Sequence, residues 1–381
     1  MADKKRIPIW LDCDPGHDDA VALLMALHLP EIDLLGVSTV HGNAPLSATT
    51  VNAARCLLSF GSPEQATRIP IYAGAEKPLI RVVRHDDEIH GSDGLGGVEG
   101  LLPHDDPGVL AKLEETKGQT AILALAKTAE SLPEGEQLTI VATGAFTNIA
   151  LFVSLFPDLV RTKVREIVIM GGAEGRGNRS PTAEFNAMID CHATSIVLNA
   201  EVPVAMAPLN VTHQALFRPY DNTALLVPPS ALPSLPETTP DASSSPTTKA
   251  HTPLRHTLST LLNFFAQTYS TVFSFTDGPP VHDALCIAYL AKPEIFEGKR
   301  YRVDVELAGE FSQGTTVVDL YDYRKDELTD WKEDPDSRKG WGRLGKNVHV
   351  LEHLDVPAFW ALFQQCVDSA DKVSPLNAKK E

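Results

Sequence analysis

Cysteine is scarce. The five present (Cys13, Cys56, Cys191, Cys286 and Cys366) are odd in number, scattered, and never form a C-x-x-C pair. That pattern excludes a disulfide-stapled scaffold and a clustered-thiol zinc site, and it reads as reduced, buried thiols in a cytoplasmic protein. Long hydrophobic runs are missing too. No stretch reaches the roughly 18 apolar residues of a membrane span, so none is expected. The first apolar run, residues 7–11, is too short for a secretory signal and meets Asp12 and Asp14 at once. Positive charge is in deficit, with 33 Lys and Arg against 50 Asp and Glu, a net charge of −17. Such a chain lacks the basic face that nucleic acid or an anionic membrane surface requires of a partner. Neither an internal repeat nor a glycine-rich phosphate loop of the P-loop type is present.

What is there suits a soluble globular protein. At 43% hydrophobic and 22% charged residues, the chain has ample material for a core. Its 381 residues allow one large α/β domain or two ordinary ones. Short apolar runs alternate with helix-like stretches. Strands are expected at 7–11, 34–40, 138–142, 166–170 and 204–207, and helices at 18–29, 46–60, 120–130, 148–156 and 187–199. Strand–helix alternation implies a mainly parallel sheet covered by helices on both faces. In such sheets ligands sit beyond the carboxyl ends of the strands. Two segments break the pattern. Residues 221–255 are rich in Pro, Ser and Thr and read as a mobile insertion. Residues 325–347, charged and glycine-rich with Trp331 and Trp341, read as a second surface loop.

The most informative stretch follows the first strand: Asp12-Cys13-Asp14-Pro15-Gly16-His17-Asp18-Asp19-Ala20. Asp12 and Asp14 share a face while the strand continues. Pro15-Gly16 forces a turn, and Asp18 and Asp19 open the next helix. A carboxylate at a helix start ordinarily caps free N–H groups. That accounts for one Asp, not for four within eight residues, whose repulsion calls for a hard divalent cation with oxygen ligands. A magnesium phosphatase of the haloacid dehalogenase kind also carries D-x-D after its first strand. It wants Thr or Val two residues after the second Asp, where Gly16 stands here.

D-x-D-P-G-x-D-D-A resembles the signature of the nucleoside hydrolases throughout residues 12–20. Further blocks follow in order. Val40-His41-Gly42-Asn43 is similar to the family's second loop. Glu88-Ile89-His90-Gly91 with Gly94-Leu95-Gly96-Gly97 is similar to its next glycine-rich loop. Thr143-Gly144-Ala145-Phe146-Thr147-Asn148 resembles its T-G-x-x-T-N turn, and Met170-Gly171-Gly172 a strand end. Asn178 with Glu184-Phe185-Asn186 resembles the sugar-binding G-N and E-F-N pair, and Val281-His282-Asp283 the late H-D. Seven blocks spread over about residues 7–290 are far more specific than any one. Beyond them the likeness thins to Gly314-Thr315-Thr316-Val317-Val318-Asp319.

The resemblance implies a single α/β domain over residues 1–381, a homodimer or homotetramer, and hydrolysis of ribonucleosides to ribose and free base, closest to the inosine/uridine type. It implies Ca²⁺ held by Asp14, Asp19, the Thr143 carbonyl and Asp283, with ribose hydroxyls and the nucleophilic water completing the shell. Asp14 would be the general base and His282 the acid that protonates the departing base. Asp18, Asn43 and Asn186 would hold the 2′ and 3′ side of the sugar, and Asn178 and Glu184 the 5′-hydroxyl. Phe185 belongs to the same sugar-binding block. His90 is placed to reach the base, Met170 is either pocket or core, and Asp12 would support the loop from behind. A non-catalytic nucleoside binder on the same scaffold is the alternative from another class; it would need neither Asp14 nor His282.

Plainer readings stand beside these. Asp283 could simply cap a helix starting at Ala284. His17, His41 and His85 are taken as surface or satisfied core residues. Glu184 and Asn186, two apart, share a site on extended backbone, and a helix starting there would spoil that. Tyr269, Phe273 and Phe275 are either core or a flap over the base.

Overall fold

A computed structural model describes residues 5–228, 249–323 and 341–378. One nine-stranded sheet runs through it in the order β3-β2-β1-β4-β5-β6-β9-β7-β8. The strands are β1 (Ile7–Cys13), β2 (Ile32–Thr39), β3 (Ile71–Ala73), β4 (Leu138–Ala142), β5 (Val164–Met170), β6 (Val204–Ala207), β7 (Phe296–Val305), β8 (Thr316–Asp319) and β9 (Val348–Leu354). Strands β3 to β9 along the first seven places are parallel; β7 is antiparallel to both β9 and β8. The α/β architecture expected from strand–helix alternation is the one observed, and all five expected strands are present.

Each central strand is buried on both faces, which is why it reads as a nearly unbroken apolar run. Side chains alternate between two cores. Ile9, Leu11 and Val141 face helices His17–His28, Leu46–Phe60, Ala284–Ala291 and Val356–Asp371. Trp10 and Ile140 face the other layer, built on Ala121–Ser131, Thr147–Leu155 and Cys191–Leu198. Strand order reverses about β1, since β2 lies on one side and β4 on the other. This is the switch point at which open α/β sheets leave a crevice. Asp14 leaves the end of β1 there and Thr143 leaves the end of β4 beside it.

Three expectations need correction. The single helix expected over 187–199 is two helices, Phe185–Ile189 and Cys191–Leu198. Asp190 breaks them because its carboxylate is used elsewhere: it accepts from Ala193 N at 3.1 Å, from Thr147 Oγ1 at 2.7 Å and from Leu79 N at 2.8 Å. The flanks of the 221–255 segment are ordered. Pro219–Leu226 is a helix, and Thr252 caps the long helix Pro253–Phe273. Arg255, 1% exposed, holds both flanks, donating to the carbonyls of Leu225 (2.8 Å) and Val227 (3.0 Å) and pairing with Asp368 and Asp371. Residues 229–248 of that segment, and 324–340 of the second expected loop, lie outside the described residues. The end of that second loop is pinned, because Arg302 donates to the carbonyls of Gly342, Arg343 and Gly345.

Arg255→Ala removes the charge that two carboxylates and two carbonyls share. It is expected to cost about 3 kcal/mol, read as a lowered urea midpoint at unchanged slope. A loss within error of zero would show that the flanks hold without it.

Candidate active site

The acidic turn is buried whole: Asp12, Asp14, Asp18 and Asp19 are each 6% exposed or less. Their surroundings give them different tasks. Asp12 accepts from Ser38 Oγ and from Asn148 Nδ2 (2.7 Å), joining β1 to β2 and to the start of helix Thr147–Leu155. It faces away from the pocket, and burial raises its carboxyl to about 7. Asp19 carries out the ordinary helix-start function. Its two oxygens accept from the backbone of Asp14 (3.3 Å) and Gly16 (3.1 Å), from Thr143 Oγ1 (2.8 Å) and from Asn43 Nδ2 (3.2 Å). Asp14 accepts from Asn43 N at 2.6 Å through one oxygen. Its other oxygen, like Oδ1 of Asp18, is buried with no hydrogen-bond partner among the described residues.

Asp283 does stand at the first turn of helix Ala284–Ala291, yet its side chain makes no capping bond. It turns instead toward Asp18 and Asp19, and ligand atoms of these three carboxylates all lie within 4.8 Å of one another. Burial pushes Asp14, Asp18 and Asp283 well above the usual carboxylate range, and their mutual repulsion adds to it. A dry cluster of hard oxygen donors with unpaired oxygens fits a divalent cation such as calcium, with Asp14 and the Thr143 carbonyl adjoining it.

Above this floor lies a pocket with about 390 Å³ of empty space, counting its mouth. Asp18, Asn43, Thr143 and Asp283 form its base; Met170, Asn178, Glu184, Phe185 and Asn186 form one wall; His90 and His282 stand in the other. Asp12, Asp14 and Asp19 lie beneath. A helix does begin at Phe185, contrary to the extended run expected, and the site survives it. Glu184 is the N-cap, still extended (φ −80°, ψ 152°). Its carboxylate accepts from the backbone of Gly172 (3.0 Å), Asn186 (2.8 Å) and Ala187 (2.9 Å). Burial nevertheless raises it to about 7. Asn186, on the first turn, donates to the Thr143 carbonyl at 2.8 Å and to that of Met170 at 3.3 Å, so cap and first turn both border the same space.

His282 is engaged at both ring nitrogens, Nδ1 with Thr212 Oγ1 at 2.8 Å and Nε2 with the Tyr269 hydroxyl at 2.7 Å. Burial drives its pKa well below the usual imidazole value, with His213 nearby adding to the effect. Its link to the pocket includes Tyr269, and burial makes its protonated form a stronger acid than an exposed imidazolium. His90 is driven down in the same way, by burial and then by His17. His17 is a buried core residue stacked on Phe264 and Phe265, as its default reading had it.

Sequence reasoning left four lining residues unassigned: Asp86, Ile89, Tyr269 and Phe273. Tyr269 and Phe273 are four apart on helix Pro253–Phe273 and face the pocket together, whereas Phe275 is not among its lining residues. That spacing was the available signal; nothing local marked Asp86.

With the site in view, comparison with known proteins is direct. The family profile described as inosine-uridine preferring nucleoside hydrolase matches residues 9–361. A probable ribonucleoside hydrolase of Dictyostelium discoideum is 33% identical, over 97% of this chain and 96% of its own. The pyrimidine-specific ribonucleoside hydrolase RihA of Citrobacter koseri is 37% identical, over 83% of this chain and 89% of its own. Among solved structures, the purine-preferring ribonucleoside hydrolase from Gardnerella vaginalis superposes with a TM-score of 0.75 at 24% identity, covering 96% of this chain and all of its own; this likeness concerns the fold.

The Asp14 carboxylate is wedged between Gly42 and Gly144, where a Cβ on either would overlap its oxygens. Gly42→Ala should displace the carboxylate and lower ribonucleoside turnover about 100-fold, measured as ribose release by folded protein. Full activity would mean that the position of Asp14 is not critical.

Proposed function

This chain belongs to the inosine-uridine preferring nucleoside hydrolase family, and from that membership we propose that it is a calcium-dependent hydrolase of ribonucleosides of the inosine/uridine type, with Asp14 as general base. Ribonucleoside hydrolysis itself follows from the family. The observation that carries the finer reading is the buried acidic floor, with unpaired oxygens on Asp14 and Asp18, at the base of a pocket walled by amides and carboxylates.

Asp14, Asp19, Asp283 and the Thr143 carbonyl would hold the calcium, which would supply positive charge that keeps these carboxylates ionised and makes water beside Asp14 more acidic. Asp14 takes the proton of a water at the floor of the pocket as that water's oxygen bonds to C1′ of the ribose. The bond from C1′ to the base nitrogen breaks, and its electron pair leaves with the base. Positive charge builds on C1′ and O4′ on the way, and the carboxylate and amide oxygens around the sugar suit it. Asp18, Asn43 and Asn186 hold the 2′ and 3′ hydroxyls, and Asn178 and Glu184 the 5′-hydroxyl. Phe185 and Met170 pack beside the sugar, His90 borders the base, and Asp12 braces the turn.

The leaving base needs a proton. His282 supplies it through Tyr269: the imidazolium donates from Nδ1–H to Thr212 and from Nε2–H to Tyr269, the Tyr269 hydroxyl gives its proton to the base while Nε2–H replaces it, and the neutral imidazole that is left takes a new proton from solvent before the next turnover. The 2.7 and 2.8 Å contacts support this chain of donors. The five free, buried thiols fit a reducing cytoplasm. A homodimer or homotetramer belongs to the same proposal, with sedimentation as its check.

Ribose release from inosine, uridine, cytidine, adenosine and guanosine, with and without a calcium chelator, tests the proposal. Release should vanish with chelator and return with calcium. Asp14→Asn should abolish turnover with the fold intact. His282→Ala and Tyr269→Phe should slow natural nucleosides by about 10²–10⁴-fold while sparing a nitrophenyl riboside, whose leaving group needs no proton. Equal losses on both substrates would remove the pair from the acid role.

A further inference from the structure

Arg179 has no part in the chemistry above, yet it stands beside the pocket. It directly follows Asn178 in the loop between β5 and helix Phe185–Ile189. The loop folds back on itself. Gly177 N donates to the Pro181 carbonyl at 3.1 Å, Asn178 N to that of Ala183 at 3.3 Å, and Ala183 N to Ser180 Oγ at 2.7 Å. Thr182 and Thr315 join hydroxyls at 2.6 Å, fastening the loop to the segment before β8. Asn178 and Glu184 are thereby brought to one wall, with Arg179 standing just outside it.

From there the guanidinium grips Asp86 with two nitrogens, Nε at 2.9 Å from Oδ2 and a terminal nitrogen on Oδ1; its other terminal nitrogen lies 3.2 Å from Glu88. The same group lies 5.2 Å over the Phe273 ring. Three segments distant in sequence therefore meet at one point: the Arg179 loop, the turn at Asp86–Glu88 and the end of helix Pro253–Phe273. Two of the gripped residues, Asp86 and Phe273, line the pocket. The Arg179 and Asp86 side chains are 18% and 7% exposed, so solvent screens the pair less than an ordinary surface ion pair.

We propose that the Arg179–Asp86 pair determines specificity at the 5′ end of the sugar: it closes the pocket beyond Asn178 and Glu184, so that a free 5′-hydroxyl fits and a 5′-substituent does not. The inference rests on the reading of Asn178 and Glu184 as partners of the 5′-hydroxyl. A neutral substituent such as methylthio meets the wall sterically. A 5′-phosphate meets it electrostatically as well, because Asp86, Glu88 and Glu184 outnumber the one guanidinium, which both of the first two already engage. Such a repulsive element separates nucleosides from nucleotides without adding affinity for the nucleoside.

Steady-state kinetics on inosine, 5′-deoxy-5′-methylthioinosine and inosine 5′-monophosphate test this, using the calcium-loaded wild type, Arg179→Ala, Arg179→Lys and Asp86→Asn. The wild type should favour inosine over both derivatives. Arg179→Ala should narrow the inosine-to-methylthio ratio of kcat/KM about tenfold or more, mostly in KM, with the phosphate still refused because the carboxylates remain. Asp86→Asn frees the guanidinium and should raise use of the phosphate. Lysine keeps the charge without the two-pronged grip, so it should fall between wild type and alanine and guards against a loss of fold. Selectivity ratios unchanged in every variant, or a wild type that accepts methylthioinosine as well as inosine, would overturn the inference while leaving nucleoside hydrolysis intact. Failure of the wild type on inosine and every other ribonucleoside would overturn the functional reading, and this inference with it.

Discussion

Carboxylates repel most strongly where water is scarcest, and this fold gathers Asp12, Asp14, Asp18, Asp19 and Asp283 into one dry floor. The rest of the site follows from how that repulsion is managed. Asp19 is satisfied by the protein through four donors, and Asp12 at one oxygen, which accepts from Ser38 and Asn148 while its Oδ2 has no partner among the described residues. Asp14 and Asp18 each keep a buried oxygen with no partner among the described residues, and Asp283 leaves its helix uncapped to join them. A group buried without a partner is costly, so the arrangement suits a cation that the chain does not itself supply.

Parallel strand ends make this possible. β1 and β4 lie side by side at the switch point, which brings Asp14 next to Thr143 although 129 positions separate them in the sequence. The backbones of the second loop and of the turn after β4 then come so close that Gly42 and Gly144 leave no space for a side chain beside Asp14. Support for the turn, positioning of the carboxylate and access for the sugar are thus set by the same few contacts between strand ends. The outer wall has a different origin. Helix Pro253–Phe273 brings Tyr269 against His282, and Arg179 ties that side to the turn at Asp86.

Much of this was legible in the sequence because the relevant physics is local. Buried parallel strands are apolar throughout, and β1, β2, β4, β5 and β6 could be read that way. Four aspartates in eight residues after a strand are an electrostatic anomaly visible without coordinates. What could not be read depends on distant partners. Asp86 and Arg179 are 93 residues apart, and neither is unusual in its own surroundings. The aromatic stretch before His282 gave no sign of which residue would reach the imidazole, since that depends on how the long helix packs. The break at Asp190 escaped helical periodicity because its carboxylate is committed to Thr147 and Leu79, far away in the chain. Glu184 shows the converse. A helix start expected to scatter the site preserves it, since the cap and first turn border the same pocket.

If the acidic floor is built around a bound cation, thermal unfolding of chelator-stripped protein responds to that cation. Calcium added at about 100 times its dissociation constant should stabilise the fold by about 2.7 kcal/mol, seen as a rise in Tm in the wild type. Asp283→Asn should lose most of that rise. A wild-type Tm indifferent to calcium, or an equal rise in the variant, would contradict the account.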